Sequence, residues 1–298
     1  MATNRLERIF RNRIFQVSSV LVVSFVITAI VFSLLGLGRP TVSVAVALDL
    51  SSSTRGTVMT REIQAVKEYL NENSKLKVPN QIQLIGFADK AQVLTNSLQT
   101  DGQQIEVELD KALADPKLLQ NIGGGTQIQK SLELGINILS QTFGNCKELL
   151  LVTDGEFPIS DDITREITSA SAQKVKINVV IAGQSAQQYI PAIETAFASV
   201  GKVSLLNSSD DLRTFFTDNF FVNINSNKRW IDFWLGAAAI ALMYALILPL
   251  DEFVFQAMMK MNFTDSGRIV YFITGLSTIV IPLIVFRWSG LPFITECN

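Results

Sequence analysis

The sequence predicts an α/β fold, a doubly wound and mostly parallel sheet with helices on both faces, joined to three transmembrane helices. Between residues 41 and 222, strand-like apolar runs alternate with helix-like runs, the pattern of parallel strands linked by crossover helices. Two of those runs, Val42–Leu50 and Glu148–Thr153, are filled with Val, Ala and Leu in the manner of strands buried on both faces. Outside that region lie three apolar stretches long enough to cross a bilayer, in a 298-residue chain that is 48% hydrophobic and only 17% charged. That balance is too apolar for an ordinary soluble protein.

In chain order, residues 1–16 form a basic N-terminus carrying Arg5, Arg8, Arg11 and Arg13. Residues 17–38 are the first span. Its apolar core, Val17 to Leu37, outruns a usual signal-peptide core, and no small-x-small cleavage site follows before Val42, so it reads as an uncleaved signal anchor. The arginines place the N-terminus in the cytoplasm by the positive-inside rule. The region that follows is then extracytoplasmic, in a periplasm, in a lumen or at the cell exterior.

Within residues 41–222 the predicted strands are Val42–Leu50, Ile82–Phe87, Ala91–Leu94, Glu148–Thr153, Lys176–Ala182 and Lys202–Leu206. The predicted helices are Thr60–Asn73, Gln103–Ala114, Gln127–Thr142, Asp162–Ala172, Gln187–Val200 and Ser209–Phe221. Ser209, followed by Asp210 and Asp211, supplies the last of these with an N-cap and a first-turn negative charge.

The second span covers residues 231–250, with Trp230, Trp234 and Tyr244 as interfacial anchors and Pro249 at its end. Residues 251–267 are a cytoplasmic connector, either an interfacial helix or an extension of the second span. The third span, 268–287, lies between Arg268 and Arg287-Trp288 and tolerates Pro282 within it. Residues 288–298 form an extracytoplasmic tail. Gly236, Ala237, Ala238, Ala239 and Ala241 permit close helix approach and leave room for contacts with other membrane subunits.

Composition removes several classes of function. The chain has no histidine, which excludes His-based acid–base catalysis, a Ser-His-Asp triad and His-containing zinc sites. With Cys146 and Cys297 as its 2 cysteines, it cannot build a Cys₄ centre by itself. Net charge is −2 and no basic tract follows the first residues, so nothing points to nucleic acid.

Five oxygen-bearing side chains stand in three clusters: Asp49, Ser51 and Ser53; Thr126 after Gly123-Gly124-Gly125; and Asp154 in Thr153-Asp154-Gly155. The first and third clusters end buried strands, and the carboxyl ends of such strands form the crevice where open α/β sheets bind ligands. Hard oxygen donors suit a divalent cation, Mg²⁺ first, with Ca²⁺ or Mn²⁺ as alternatives, and would not select zinc.

Asp-x-Ser-x-Ser, a Thr behind glycines and Thr-Asp-Gly, in this order, resemble the metal-ion-dependent adhesion site of von Willebrand factor A domains. The resemblance covers about residues 41–222 and departs from the common family pattern at Ser52, where glycine is frequent, and in the three glycines before Thr126. It implies that Ser51 and Ser53 bind a metal directly, with Asp49, Thr126 and Asp154 binding directly or through water. It also implies a partner protein whose Asp or Glu completes the coordination, since two carboxylates only neutralise a divalent ion. The three-span layout is loosely similar to bacterial membrane-anchored proteins of the aerotolerance type. The expected role is therefore a non-enzymatic scaffold, assembly factor or auxiliary subunit in the lipid bilayer.

The competing reading is an enzyme, a Mg²⁺-dependent phosphohydrolase using Asp49 as nucleophile. Such enzymes want a second Asp where this chain has Ser51 and a suitably placed lysine. A channel is disfavoured, because the spans carry almost no charge.

The first strand begins just after the first span, so its N-terminal end is expected near the membrane and the metal site, at the opposite edge, is expected to face away. Cys146 sits at the membrane-facing edge. Cys297 follows the third span at a reach of roughly 35 Å. A Cys146–Cys297 disulfide would tie the tail to the domain; the alternative is two unpaired thiols in which Cys297 belongs to a loose tail.

Overall fold

A computed structural model describes residues 7, 9–142, 146–182, 185–205 and 227–289. The chain divides into two compact units, residues 1–39 with 227–296, and residues 40–226 with 297–298.

The second unit is built around β1 (Val42–Asp49), whose eight residues are all buried. Alternate residues of a strand point to opposite faces, and β1 uses the two faces differently. Val42, Val44, Val46 and Leu48 join one core cluster, whereas Ala45 and Ala47 join the other. β1 pairs in parallel with β2 (Gln81–Phe87) on one side and with β4 (Cys146–Thr153) on the other. The six-stranded sheet has the order β3-β2-β1-β4-β5-β6. β3 (Ala91–Val93) is its antiparallel edge, and β5 (Val175–Ile181) and β6 (Val203–Leu205) continue it in parallel.

Helices α2 (Thr57–Ser74), α3 (Gly102–Leu113) and α4 (Pro116–Ile122) cover the Val-rich face through Val66, Tyr69, Leu70, Ile105, Leu109 and Leu118. Helices α5 (Ile128–Ser140), α6 (Asp161–Ala172) and α7 (Ile190–Phe197) cover the Ala face through Leu132, Ile136, Ile163, Ile193 and Phe197. The small residues on that face let α5 come close: a methyl group at Gly135 would strike the Leu149 side chain and touch Ala45.

Two helices differ from the sequence expectation for reasons visible in the chain. α4 was not predicted, because seven residues are too few to display a period. Asp115 starts it, accepting from the Lys117 amide at 2.9 Å, with Pro116 at its first position. The helix expected over Gln187–Val200 is split into a 3₁₀ turn, Ser185–Gln188, and α7. Pro191, which has no amide proton to donate, forces a fresh start there. The predicted helix Ser209–Phe221 lies outside the described residues.

The first unit consists of helices. α1 (Arg13–Leu35) is capped by Asn12, which accepts from the Ile14 amide at 2.8 Å, and ends at Gly36 with φ 67°. α8 (Lys228–Pro249) runs on through Leu250–Met258, wound as a π-helix, and α9 is Phe263–Ser289. Of the segment 251–267, residues up to Met258 thus continue α8, 259–262 are non-helical and Phe263 onward belongs to α9. Arg13–Leu35, Lys228–Ile247 and Phe263–Arg287 are long and apolar enough to cross a membrane.

α1 packs on α8 along a seam in which Phe25 and Phe32 meet Trp234 and Trp230, with ring centroids 5.4–5.9 Å apart. Asn227 closes that seam by donating to the Phe32 carbonyl at 2.6 Å. The small residues of α8 serve this bundle. Ala238, Ala241 and Ala245 are buried within it, and a methyl at Gly236 would strike Val285 of α9. Most of the stripe assigned from sequence to other membrane subunits is therefore occupied by the chain's own helices.

Candidate functional site

β1 and β4 leave the sheet side by side, where the strand order reverses direction. This is the position at which open α/β sheets bind ligands. Asp49 is the last residue of β1 and is fully buried, and Asp154 follows the end of β4 and is 3% exposed. The two strands are in register from Val42–Cys146 to Leu48–Val152, so the next step sets Asp49 beside Thr153.

Asp49 is held at both oxygens. Oδ1 accepts from the Ser51 amide at 3.0 Å and Oδ2 accepts from the Thr153 hydroxyl at 2.8 Å. Each oxygen keeps a further lone pair. Asp154 Oδ1 accepts from the Glu156 amide at 3.1 Å. The loop after β1 is locked by Thr54, whose hydroxyl donates to the carbonyls of Asp49 (3.2 Å) and Ser51 (2.9 Å). That lock brings the buried Ser51 hydroxyl within 3.0 Å of the exposed Ser53 hydroxyl.

The glycine run joins this loop through its backbone, the Ser52 amide donating to the Gly124 carbonyl at 2.9 Å. Asp89, exposed just beyond β2, accepts from the Gly124 amide at 2.9 Å. That bond and one from Gly125 hold its carboxyl below the usual range. A side chain at Gly123 or Gly125 would strike Asp89, and Gly123 also has φ 87°. Thr126, half-buried, follows this run and leads into α5, where the Gln127 amide donates to the Ala88 carbonyl at 2.8 Å.

Electrostatically the site is crowded with acid. Burial pushes Asp49 up to about 6, with the charge of Asp154 adding to the rise and the bonds from Ser51 and Thr153 opposing it. Glu62, on the buried stripe of α2, is pushed up to about 10 by burial and then by the charges of Asp49 and Asp154. A cation placed here would reverse these costs. Among the described residues no three acidic, Cys or His side chains form a ready-made metal cage, so an ion needs the hydroxyls as well as the carboxylates. An all-oxygen set of this kind fits a hard divalent cation.

The structure thus brings together the loops that carry Asp49, Ser51, Ser53, Thr126 and Asp154. Sequence reasoning missed four supporting residues. Thr153 and Thr54 required knowledge of strand register and loop path, and Asp89 required the fold of the glycine run. Glu62 left one trace, an acid at helical spacing from Val66, Tyr69 and Asn73. Cys146, the first residue of β4, is disulfide-bonded; the other cysteine, Cys297, lies outside the described residues.

Residues 44–156, a segment that contains all five candidate ligands, match the family model described as von Willebrand factor type A domain. No curated protein matches the chain. Among solved structures, an aerotolerance-related membrane protein from Bacteroides fragilis, carrying multiple mutations to serine, is 15% identical with a TM-score of 0.49, covering 60% of this chain and 98% of that one. BatB from Bacteroides thetaiotaomicron is 16% identical with a TM-score of 0.47, covering 59% and 95%. The manganese-loaded TRAP protein of Plasmodium vivax is 16% identical with a TM-score of 0.46, covering 59% and 72%. The globular unit of this chain, a mostly parallel sheet with helices on both faces, is thus similar over residues 44–156 to von Willebrand factor type A domains.

Proposed function

We propose that this chain is a membrane-anchored module that binds a partner protein through a divalent cation. Asp49, Ser51, Ser53, Thr126 and Asp154 hold the ion, and an Asp or Glu of the partner completes its coordination. The carrying observation is the 3.0 Å separation of the Ser51 and Ser53 hydroxyls beside two buried aspartates. Octahedral Mg²⁺ with ligands at about 2.1 Å spaces neighbouring ligands about 3 Å apart, whereas Ca²⁺ spreads them further. Mg²⁺, or Mn²⁺ in its place, is therefore the cation this loop suits best. The ion would supply a positive, ligand-hungry centre at the sheet edge, and the protein would supply its position.

The three apolar helices support an integral membrane protein. The N-terminal arginines support a cytoplasmic N-terminus, an uncleaved signal anchor and an extracytoplasmic domain. The role that follows is scaffold, assembly factor or auxiliary subunit of a membrane complex. An aspartyl phosphohydrolase is less well served, because Asp49 is wholly buried with both oxygens already accepting hydrogen bonds.

Affinity capture from native membranes with the full chain tests the proposal. Partners retained in Mg²⁺, and lost both in chelator and in Ser51→Ala, are the expected result. Identical capture under all three conditions, or a Mg²⁺-dependent phosphatase activity abolished by Asp49→Asn, would overturn it.

A further inference from the structure

α2 starts just past the Ser51–Ser53 loop and lays one stripe of residues on the sheet: Glu62, Ala65, Val66, Tyr69, Leu70 and Asn73. Polar residues on such a stripe need partners, and Asn73 has them. It donates to the Asn80 carbonyl at 3.1 Å and accepts from the Asn80 amide at 2.9 Å. Glu62 is different. It is 0% exposed, and neither carboxyl oxygen has a hydrogen-bond partner.

A buried carboxyl with both oxygens orphaned needs an explanation, because leaving such groups unbonded in the interior is destabilising. Packing alone does not supply one, since Met or Leu would fill the same volume without the penalty. Position does. Glu62 lies in the N-terminal part of α2, at the end of the helix where β1 delivers Asp49, and the charges that act on it are those of Asp49 and Asp154. Among the described residues no three acids form a direct cage, so Glu62 would meet a bound ion through water.

We propose that Glu62 is a third carboxylate of the metal site, accepting hydrogen bonds from water on the bound divalent cation. The inference rests on the metal-binding reading above. Groups that act on a metal through its ligands typically change affinity 10–100-fold. Glu62 also alters the charge arithmetic. Two aspartates neutralise a divalent ion, and a third carboxylate leaves the filled site with a net charge of about −1. Such a site keeps its cation without help from a partner, and it attracts an acidic partner less strongly than a neutral one does.

The test is Mn²⁺ binding by the detergent-solubilised full chain, measured by calorimetry and by loss of the free-Mn²⁺ spin-resonance signal. Wild type, Glu62→Gln, Glu62→Met and Ser51→Ala are compared, with unfolding in chelator as the check on folding. Gln and Met both fill the volume of Glu62, so either folded variant suffices. The expected result is a 10–100-fold loss of Mn²⁺ affinity with an apo unfolding temperature no lower than wild type. Unchanged Mn²⁺ affinity in Glu62→Gln, alongside its loss in Ser51→Ala, overturns the role of Glu62 and leaves the metal site standing. Affinity unaffected by either change overturns both.

Discussion

Thr153 donates its hydroxyl to Asp49 Oδ2 at 2.8 Å, across 104 residues of sequence and between two adjacent parallel strands. This bond fixes the orientation of a buried carboxylate whose other oxygen is fixed by the Ser51 amide. Thr153→Val keeps the shape and removes the donor. Hydrogen bonds to charged groups contribute roughly 1.5–3 kcal/mol, so the variant should lose about that much stability and bind Mn²⁺ more weakly. Chemical unfolding and metal titration of the same preparations check both halves. An unchanged unfolding midpoint would show that the bond orients nothing.

Cation binding should itself stabilise the fold. At a hundred times its dissociation constant, a ligand specific to the native state adds about 2.7 kcal/mol, or roughly 5–10 °C in Tm for a domain of this size. Mg²⁺ or Mn²⁺ should produce that rise, chelator should reverse it, and Asp154→Ala should abolish it. A rise of equal size in Asp154→Ala would place the cation elsewhere.

The two glycines that face Asp89 separate sterics from backbone strain. Gly125→Ala offends only by contact with Asp89, whereas Gly123→Ala also forces a residue with a side chain to φ 87°. Both changes should weaken Mn²⁺ binding by displacing the run that leads to Thr126. Added Asp89→Ala should rescue Gly125→Ala largely and Gly123→Ala only in part, the residue of strain being about 1 kcal/mol or more. Equal rescue would remove the role assigned to the Gly123 backbone.

Glu148 predicts a pH dependence remote from the metal. It is buried on β4, accepts from the Asn178 side chain, and is pushed up to about 8 by burial, with Lys176 opposing. Tyr69 of α2 packs on the same side and feels its charge. The folded state therefore keeps a proton that the unfolded chain releases near 4.5. The stability contributed by the neutral acid is complete below about 4.5 and is lost as pH rises through about 8. Glu148→Gln preserves the acceptor and cannot ionise. Its Tm should be flatter than that of wild type between these limits and higher at the alkaline end. Parallel Tm curves would contradict this account.

Cys146 carries the remaining prediction. Pairing with Cys297 closes a loop of about 150 residues that holds the last part of the globular domain and both C-terminal helices, worth about 5 kcal/mol in the chain-entropy account. Cys146→Ser should change mobility on non-reducing gels and lower the unfolding midpoint to that of the reduced wild type. Equal mobility would overturn the Cys146 disulfide.

How much of this was legible depended on whether a residue's role was local. β1, β2, β4 and β5 were readable because their burial is written as apolar runs, and the five candidate oxygens stood out because each follows such a run or a glycine cluster. The register that sets Thr153 beside Asp49 is a property of two strands and is written in neither. Glu62 looks like one more charged residue on an exposed helix turn until the sheet behind α2 is in place. Ala238 and Ala241 announced a close helix approach, but the identity of the neighbour depended on which helices met. Pro191 and the Asp115-Pro116 pair were local signals that could have been read and were overlooked.

The seam between α1 and α8 sets an order of events during synthesis. Asn227 bonds to a carbonyl 195 residues earlier, so the first helix is made long before its partner. At roughly 5–20 residues per second, the interval is about 10–40 s. In the proposed topology the nascent chain crosses the membrane on a lone helix while the whole globular domain is translated and exported. Phe25 and Phe32 face lipid throughout that interval. The last helices then lock the anchor after the domain has emerged, which makes completion of the bundle a late step of biogenesis.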